Sequence, residues 1–148
     1  RCRNFAEFLN APLAIIEKRR VGNQDKSEVL NLIGSVEGCQ VVIVDDEIDT
    51  AGSITQAADV CLKNGAAEVY ATCVHPVLSG PAIDRLQASA IKEVVVTDTI
   101  ALPPEKRIDK ISVLSIASLL GETIQRIHTG ASVSATYRSG FASSIQHS

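Results

Sequence analysis

Val41-Val42-Ile43-Val44-Asp45-Asp46-Glu47-Ile48-Asp49-Thr50-Ala51-Gly52-Ser53 is the run that sets the architecture of this chain. The β-branched residues Val41–Val44 read as a buried parallel strand. Two adjacent carboxylates, Asp45 and Asp46, stand where that strand is expected to end. A small-residue turn, Thr50-Ala51-Gly52-Ser53, follows them. From Ser53 the apolar residues Ile54, Ala57, Ala58, Cys61 and Leu62 recur at helical spacing, and Asn64-Gly65 stops the helix. Backbone N–H groups of such a loop and the positive end of the helix dipole attract a phosphate. Carboxylates at a strand's end accept hydrogen bonds from vicinal hydroxyls or bind a metal through water. A phosphorylated ribose fits that description.

The rest of the chain repeats the alternation. Arg1–Asn10 reads as the end of a helix, Leu13–Ile16 as a short strand running into Lys18-Arg19-Arg20, and 18–27 as a polar, mobile loop. Val29–Ile33 is a second strand, with Gly34 and Gly38 in the turn toward the central one. Glu68–Val74 is the next strand, ending at His75-Pro76, and Ser79-Gly80-Pro81 starts a helix with proline near its first position. Glu93–Thr97 and Lys110–Val113 read as strands, and Ile116, Leu120, Ile124 and Ile127 mark a final helix closed by Gly130. Strands alternating with helices imply a parallel α/β sheet with right-handed crossovers. Ligands then lie beyond the carboxyl ends of the strands, where Asp45-Asp46, His75 and Asp98 all fall.

Bulk composition narrows the class. Of the 148 residues, 45% are hydrophobic and 21% charged, which suits one folded domain with a sizeable core and not a disordered chain. A net charge of −3 and only two Tyr and three Phe offer neither a basic face nor a stacking platform for nucleic acid. The four cysteines, Cys2, Cys39, Cys61 and Cys73, form no Cys-x-x-Cys pair. Cys61 and Cys73 sit in apolar patterns and read as small buried hydrophobes in a reducing, intracellular compartment. No apolar run approaches the roughly 18–20 residues of a membrane span, and no signal-peptide pattern is visible. No methionine occurs, so a fragment, processed form or partial record is expected.

The central run resembles the phosphoribosyl-diphosphate (PRPP) binding motif of the type I phosphoribosyltransferase fold. Ala-Pro-Leu-Ala-Ile-Ile-Glu-Lys-Arg-Arg at 11–20, His-Pro-Val-Leu-Ser-Gly-Pro-Ala at 75–82, Val-Val-Val-Thr-Asp-Thr-Ile at 94–100 and Ser-Val-Ser at 132–134 add to it. Together they are similar, in order and spacing, to the ribose-phosphate diphosphokinase (PRPP synthetase) family. The likeness covers residues 1–137 and corresponds to the C-terminal half of that family's two-domain chain. The expected architecture is therefore a phosphoribosyltransferase-like (Rossmann-like) domain over 1–137, with helices on both faces of its sheet. The N-terminal domain is expected to be absent, and 138–148 to be a disordered tail.

The resemblance implies transfer of the diphosphoryl group of ATP to the anomeric hydroxyl of ribose 5-phosphate, with Mg²⁺ as cofactor. It places Asp45 and Asp46 against the ribose 2- and 3-hydroxyls, and Asp49, Thr50, Ala51, Gly52 and Ser53 around the 5-phosphate. It makes Lys18 and Arg20 the catalytic pair, Arg20 also touching the sugar phosphate. By themselves these residues have plainer readings: an acidic helix cap and a solvated basic turn. Ser132, Val133, Ser134 and Tyr137 resemble a segment of the family's nucleotide effector site, against the plain reading of a frayed helix end. His75 and the Ser79-Gly80 region fall near nucleotide and regulatory surfaces by the same likeness, or serve only as a strand end. Asp98 and Thr99 read as structural, and His128 and His147 carry no role. The family's metal ligands belong to its other half, so no metal ligand is expected here and the isolated chain is expected to turn over nothing. Homo-oligomers, dimers assembling to hexamers, are implied, in the cytoplasm or a plastid, with neither nucleic acid nor membrane as partner. A type I phosphoribosyltransferase would share the binding motif but not the Lys-Arg-Arg arm, and a non-catalytic regulatory subunit would tend to disrupt that arm.

Overall fold

Strands alternating with helices are realised in the order that the sequence suggests. The structure, a computed structural model, describes residues 2–20 and 28–134. The elements are α1 (Cys2–Phe8), β1 (Ile15–Arg20), β2 (Glu28–Ile33), β3 (Gln40–Ile48), α2 (Gly52–Lys63), β4 (Glu68–Pro76), α3 (Ala82–Ala88), β5 (Val94–Thr97), β6 (Ile111–Leu114) and α4 (Ala117–Thr129), with a single 3₁₀ turn at Pro104–Lys106. Two compact units partition the chain, Arg1–Leu114 and Ser115–Ser148.

In the first unit, β3-β4-β5-β6 form a parallel sheet in that spatial order, and β1-β2 form a separate antiparallel pair. The parallel strands follow one another in space as in sequence. Right-handed crossovers running in one direction set their connecting helices on the same face. That face carries Val69, Ala71 and Cys73 of β4 and Val94 and Val96 of β5, packed with Ile54, Ala58 and Cys61 of α2 and Ala82 and Leu86 of α3. All of these are buried, and their removal from water supplies the main drive for folding. The expected parallel α/β sheet flanked by helices is what forms.

Three departures from the sequence expectation occur in β3 and β1. β3 was expected to be a buried strand ending at Val44; it continues to Ile48, because Asp45, Glu47 and Ile48 register against Cys73, His75 and Pro76 of β4. Its burial is also less complete than expected, with Val42 48% exposed, because Val42 lies on the face of the sheet opposite the one that packs on α2 and α3, where its neighbours Val41 and Ile43 meet the core. A continuous apolar run predicts burial only where both faces and both edges are covered. Likewise Lys18, Arg19 and Arg20 do not open a loop. They complete β1, with Lys18 opposite Leu30 and Arg20 opposite Glu28 of β2. The expected loop beyond them, 21–27, lies outside the described residues, as does the expected tail 138–148.

The second unit contains α4, which ends at Gly130 in the left-handed conformation (φ 71°) as expected for a C-terminal glycine. Leu120, Ile124 and Ile127 line an exposed apolar stripe along it. No helix among the described residues is long and apolar enough to cross a membrane.

Candidate functional site: an acidic, small-residue cradle at the end of the edge strand

At the carboxyl end of β3 the chain turns into α2 around a cavity of about 260 Å³ lined by residues 45–54. Asp45, Asp46, Asp49, Thr50, Ala51, Gly52 and Ser53, singled out from the sequence, all line it, joined by Glu47, Ile48 and Ile54. One continuous segment builds this wall. Close spacing in sequence is what made the site legible before any tertiary information.

The acid pair lies within the strand, not past it. Asp45 Oδ1 accepts the Asp46 amide at 2.9 Å, and Asp46 Oδ1 accepts the Glu47 amide at 3.1 Å. A carboxylate has roughly four lone-pair positions and can accept hydrogen bonds from vicinal hydroxyls. Burial lifts the Asp45 carboxyl above its ordinary range; the Asp46 amide works against this, and the Asp46 carboxyl adds to it.

The turn has an unexpected hinge. Ala51, not Gly52, adopts the left-handed conformation, with φ 60°, and its side chain is buried. That geometry costs an L-residue roughly 1–2 kcal/mol. Ala51 is also the N-cap of α2 and brings no side-chain acceptor to the first turn. Ser, Thr or Asp at that position would normally bond the N2 or N3 amide. Residues 52–54 of the helix's first turn line the cavity, and the amides of a helix start suit an anion. The first helical bond, from the Thr55 amide to Ala51 O at 3.2 Å, is reinforced by Thr55 Oγ1 at 2.9 Å.

The turn is strapped from outside by the segment between β4 and α3. The Leu78 amide donates to Ile48 O at 2.9 Å and the Ser79 amide to Asp49 O at 3.0 Å. Ser79 Oγ donates a short hydrogen bond to Asp49 Oδ1. Arg85 Nη1 donates to Thr50 O at 2.9 Å. Leu78, itself left-handed (φ 50°) and buried, anchors the strap. This segment, which the resemblance sets near nucleotide and regulatory surfaces, holds the backbone at Ile48 and Asp49. Arg85 was missed altogether, since an arginine on a helix carries no local sign of a distant carbonyl partner.

The backbones of Lys18 and Arg20 lie in β1. Ser132, Val133 and Ser134 follow α4 in the second unit, where the Ser132 and Ser134 hydroxyls lie 2.9 Å apart and Arg126 Nη1 donates to Ser132 O at 3.3 Å. Tyr137 lies outside the described residues. His75 Nδ1 lies 3.1 Å from Thr99 Oγ1. Thr97 and Thr99 donate to Val74 O at 2.6 and 2.7 Å, tying the ends of β4 and β5 together. Cys61 and Cys73 are buried thiols as expected; burial pushes the Cys73 thiol up to about 11. Among the described residues no group of three or more His, Cys, Asp or Glu side chains is placed to hold a metal ion. Asp45 and Asp46 offer the oxygen ligands magnesium takes, but they do not make a metal site by themselves.

An edge-strand cradle feeding a helix N-terminus, on a parallel sheet with its helices packed on the core face, defines a type I phosphoribosyltransferase-like domain. A solved relative has the same form: the crystal structure of phosphoribosylpyrophosphate synthetase from Mycobacterium smegmatis superposes with a TM-score of 0.79 at 35% identity, over 87% of this chain and 41% of that one. The family model described as the phosphoribosyl synthetase-associated domain matches residues 2–138, and the chain belongs to that family. Curated relatives include the ribose-phosphate pyrophosphokinase of Caldanaerobacter subterraneus subsp. tengcongensis, 60% identical over 134 residues, 90% of this chain and 42% of that protein. That of Corynebacterium ammoniagenes is 56% identical over 137 residues, 93% of this chain and 43% of the relative. The chain thus spans less than half the length of these relatives.

Proposed function

We propose that this chain binds ribose 5-phosphate in the 45–53 cradle and serves a ribose-phosphate diphosphokinase reaction. The observation that carries this reading is the cavity itself: carboxylates at its strand side and an uncapped helix start at its loop side, spaced by one turn of chain. A pentose phosphate needs both halves at once, acceptors for its hydroxyls and amide donors for its phosphate. Family membership and relatives named for that activity support the same reading.

In the proposed reaction the anomeric hydroxyl oxygen attacks the β-phosphorus of ATP in line. A new O–P bond forms, the bond from that phosphorus to the bridging oxygen breaks with AMP as leaving group, and the hydroxyl proton is released. Asp45 and Asp46 orient the sugar, and the Asp49–Ser53 turn holds its phosphate. Lys18 and Arg20 supply positive charge where it builds on the transferring oxygens, Arg20 also meeting the sugar phosphate. Holding two substrates in register is worth roughly 7–11 kcal/mol of the barrier. ATP is the second partner, and Mg²⁺, which neutralises phosphate charge, is assigned to no residue of this chain. Ser132, Val133, Ser134 and Tyr137 are assigned to an effector site, supported by the paired hydroxyls at 132 and 134. A homo-oligomer acting in the cytoplasm completes the reading.

Calorimetric titration tests the cradle. Ribose 5-phosphate should bind saturably and ribose far more weakly, and Asp45→Asn with Asp46→Asn should abolish the difference between ribose 5-phosphate and inorganic phosphate. An intact chain that stays empty at saturating ribose 5-phosphate overturns the assignment.

A further inference from the structure

Gly52 follows the left-handed residue of the turn, Ala51. No positive φ is recorded at Gly52. A β-carbon there would lie 3.3 Å from Arg85 Nη1 and 3.9 Å from Arg85 Cζ. The glycine therefore leaves the space that the guanidinium occupies. Arg85 reaches across from α3 to bond Thr50 O, one residue before the strained Ala51. Among the described residues no carboxylate forms an ion pair with Arg85, so its charge is not neutralised by one.

We propose that Arg85 is a positioning residue for the sugar phosphate, seated in the gap at Gly52. It fixes the Thr50 carbonyl, which sets the peptide planes leading into α2, and it places a permanent cation behind a turn whose rim carries Asp45, Asp46, Glu47 and Asp49. Such a rim repels a phosphate dianion, and the helix dipole offsets this by only a fraction of a charge. A guanidinium one peptide away adds a full charge. It needs no contact with the ligand to act: it holds the amides in place and lowers the electrostatic cost of bringing in phosphate. This inference rests on the assignment of the cradle to ribose 5-phosphate.

The experiment titrates ribose 5-phosphate into the full chain and its Arg85→Gln, Arg85→Lys, Gly52→Ala and Gly52→Ala/Arg85→Gln variants, with amide exchange at 50–53 followed by NMR. Losing a charged donor to a carbonyl predicts about tenfold weaker binding for Arg85→Gln, with the thermal midpoint little changed because the side chain is exposed. Faster exchange of the Gly52 and Ser53 amides should accompany it, and Arg85→Lys should recover part of the affinity through its charge. Gly52→Ala should weaken binding in the native background and by much less once Arg85 is glutamine, since its β-carbon acts on the guanidinium. Undiminished binding by Arg85→Gln, or strictly additive effects in the double variant, overturns the proposal while leaving the cradle assignment standing. Failure of the unaltered chain to bind ribose 5-phosphate sinks both.

Discussion

Lys110, just before β6, ends α3 from a distance, and replacing it with methionine isolates that role. α3 has only seven residues, too few to be stable alone. Its C-cap, Ser89, is extended (ψ 161°), so no left-handed glycine satisfies the last carbonyls. Lys110 Nζ does so instead, donating to Leu86 O at 3.2 Å, Gln87 O at 3.1 Å and Ser89 O at 2.6 Å. A cation at a partly buried helix C-terminus is worth up to about 2 kcal/mol, against 0.3–1 when exposed. Lys110 is half-buried, Leu86 O keeps its bond from Ser89 Oγ at 2.8 Å, and water can replace the ammonium at Gln87. Lys110→Met, which keeps most of the packed stem, should therefore cost about 1.5 kcal/mol, lowering the thermal midpoint by roughly 5 °C. Urea unfolding at low and at 1 M salt is the assay, and the loss should shrink with salt as the dipole term is screened. A loss below about 0.5 kcal/mol, or one indifferent to salt, would show that the three contacts do not act as a helix cap.

Three further outcomes follow from particular groups. Burial raises the Asp45 pKa in the fold above its unfolded value, so the contribution of this group favours folding at low pH and is lost as pH rises through the folded value; Asp45→Asn should raise the urea midpoint at pH 7, lose that advantage at pH 3, and still weaken ribose 5-phosphate binding. The Cys73 thiol, pushed by burial up to about 11, stays protonated in the fold while the unfolded chain ionises near pH 9; between pH 8 and 10.5 the native protein should lose up to about 2 kcal/mol more stability than Cys73→Ala. Gly34→Ala, at φ 109° and with a β-carbon 3.2 Å from Ala14 Cα, should destabilise by more than about 1 kcal/mol, read by thermal unfolding.

Local pattern was enough for most of the elements. Val41–Val44 forms strand wherever a partner can be found, and Ile54, Ala58 and Cys61 must share a face once the chain is helical. Strand ends are less legible. Asp45-Asp46-Glu47 breaks the apolar pattern, yet the backbone remains in β3 because β4 offers hydrogen-bonding partners as far as Pro76. Exposure of Val42 follows from its facing away from α2 and α3, and which face of a strand the helices cover is not written in any single strand. The same separation appears in the site. Residues 45–53 are contiguous, so their chemistry was visible before folding, and they do line one cavity. Ser79 and Arg85 act on that turn from far along the chain, and nothing near them in sequence announces it.

Residue order alone was sufficient to specify a parallel α/β domain, to locate its acidic, small-residue turn and to indicate the sugar-phosphate chemistry such a turn suits, because backbone propensity and side-chain type act over a few residues. Folding in three dimensions decided which residue carries the strained conformation, and which guanidinium bonds the turn's Thr50 carbonyl. Those are matters of space and charge between segments some 30 residues apart, and they exist only once the strands have paired.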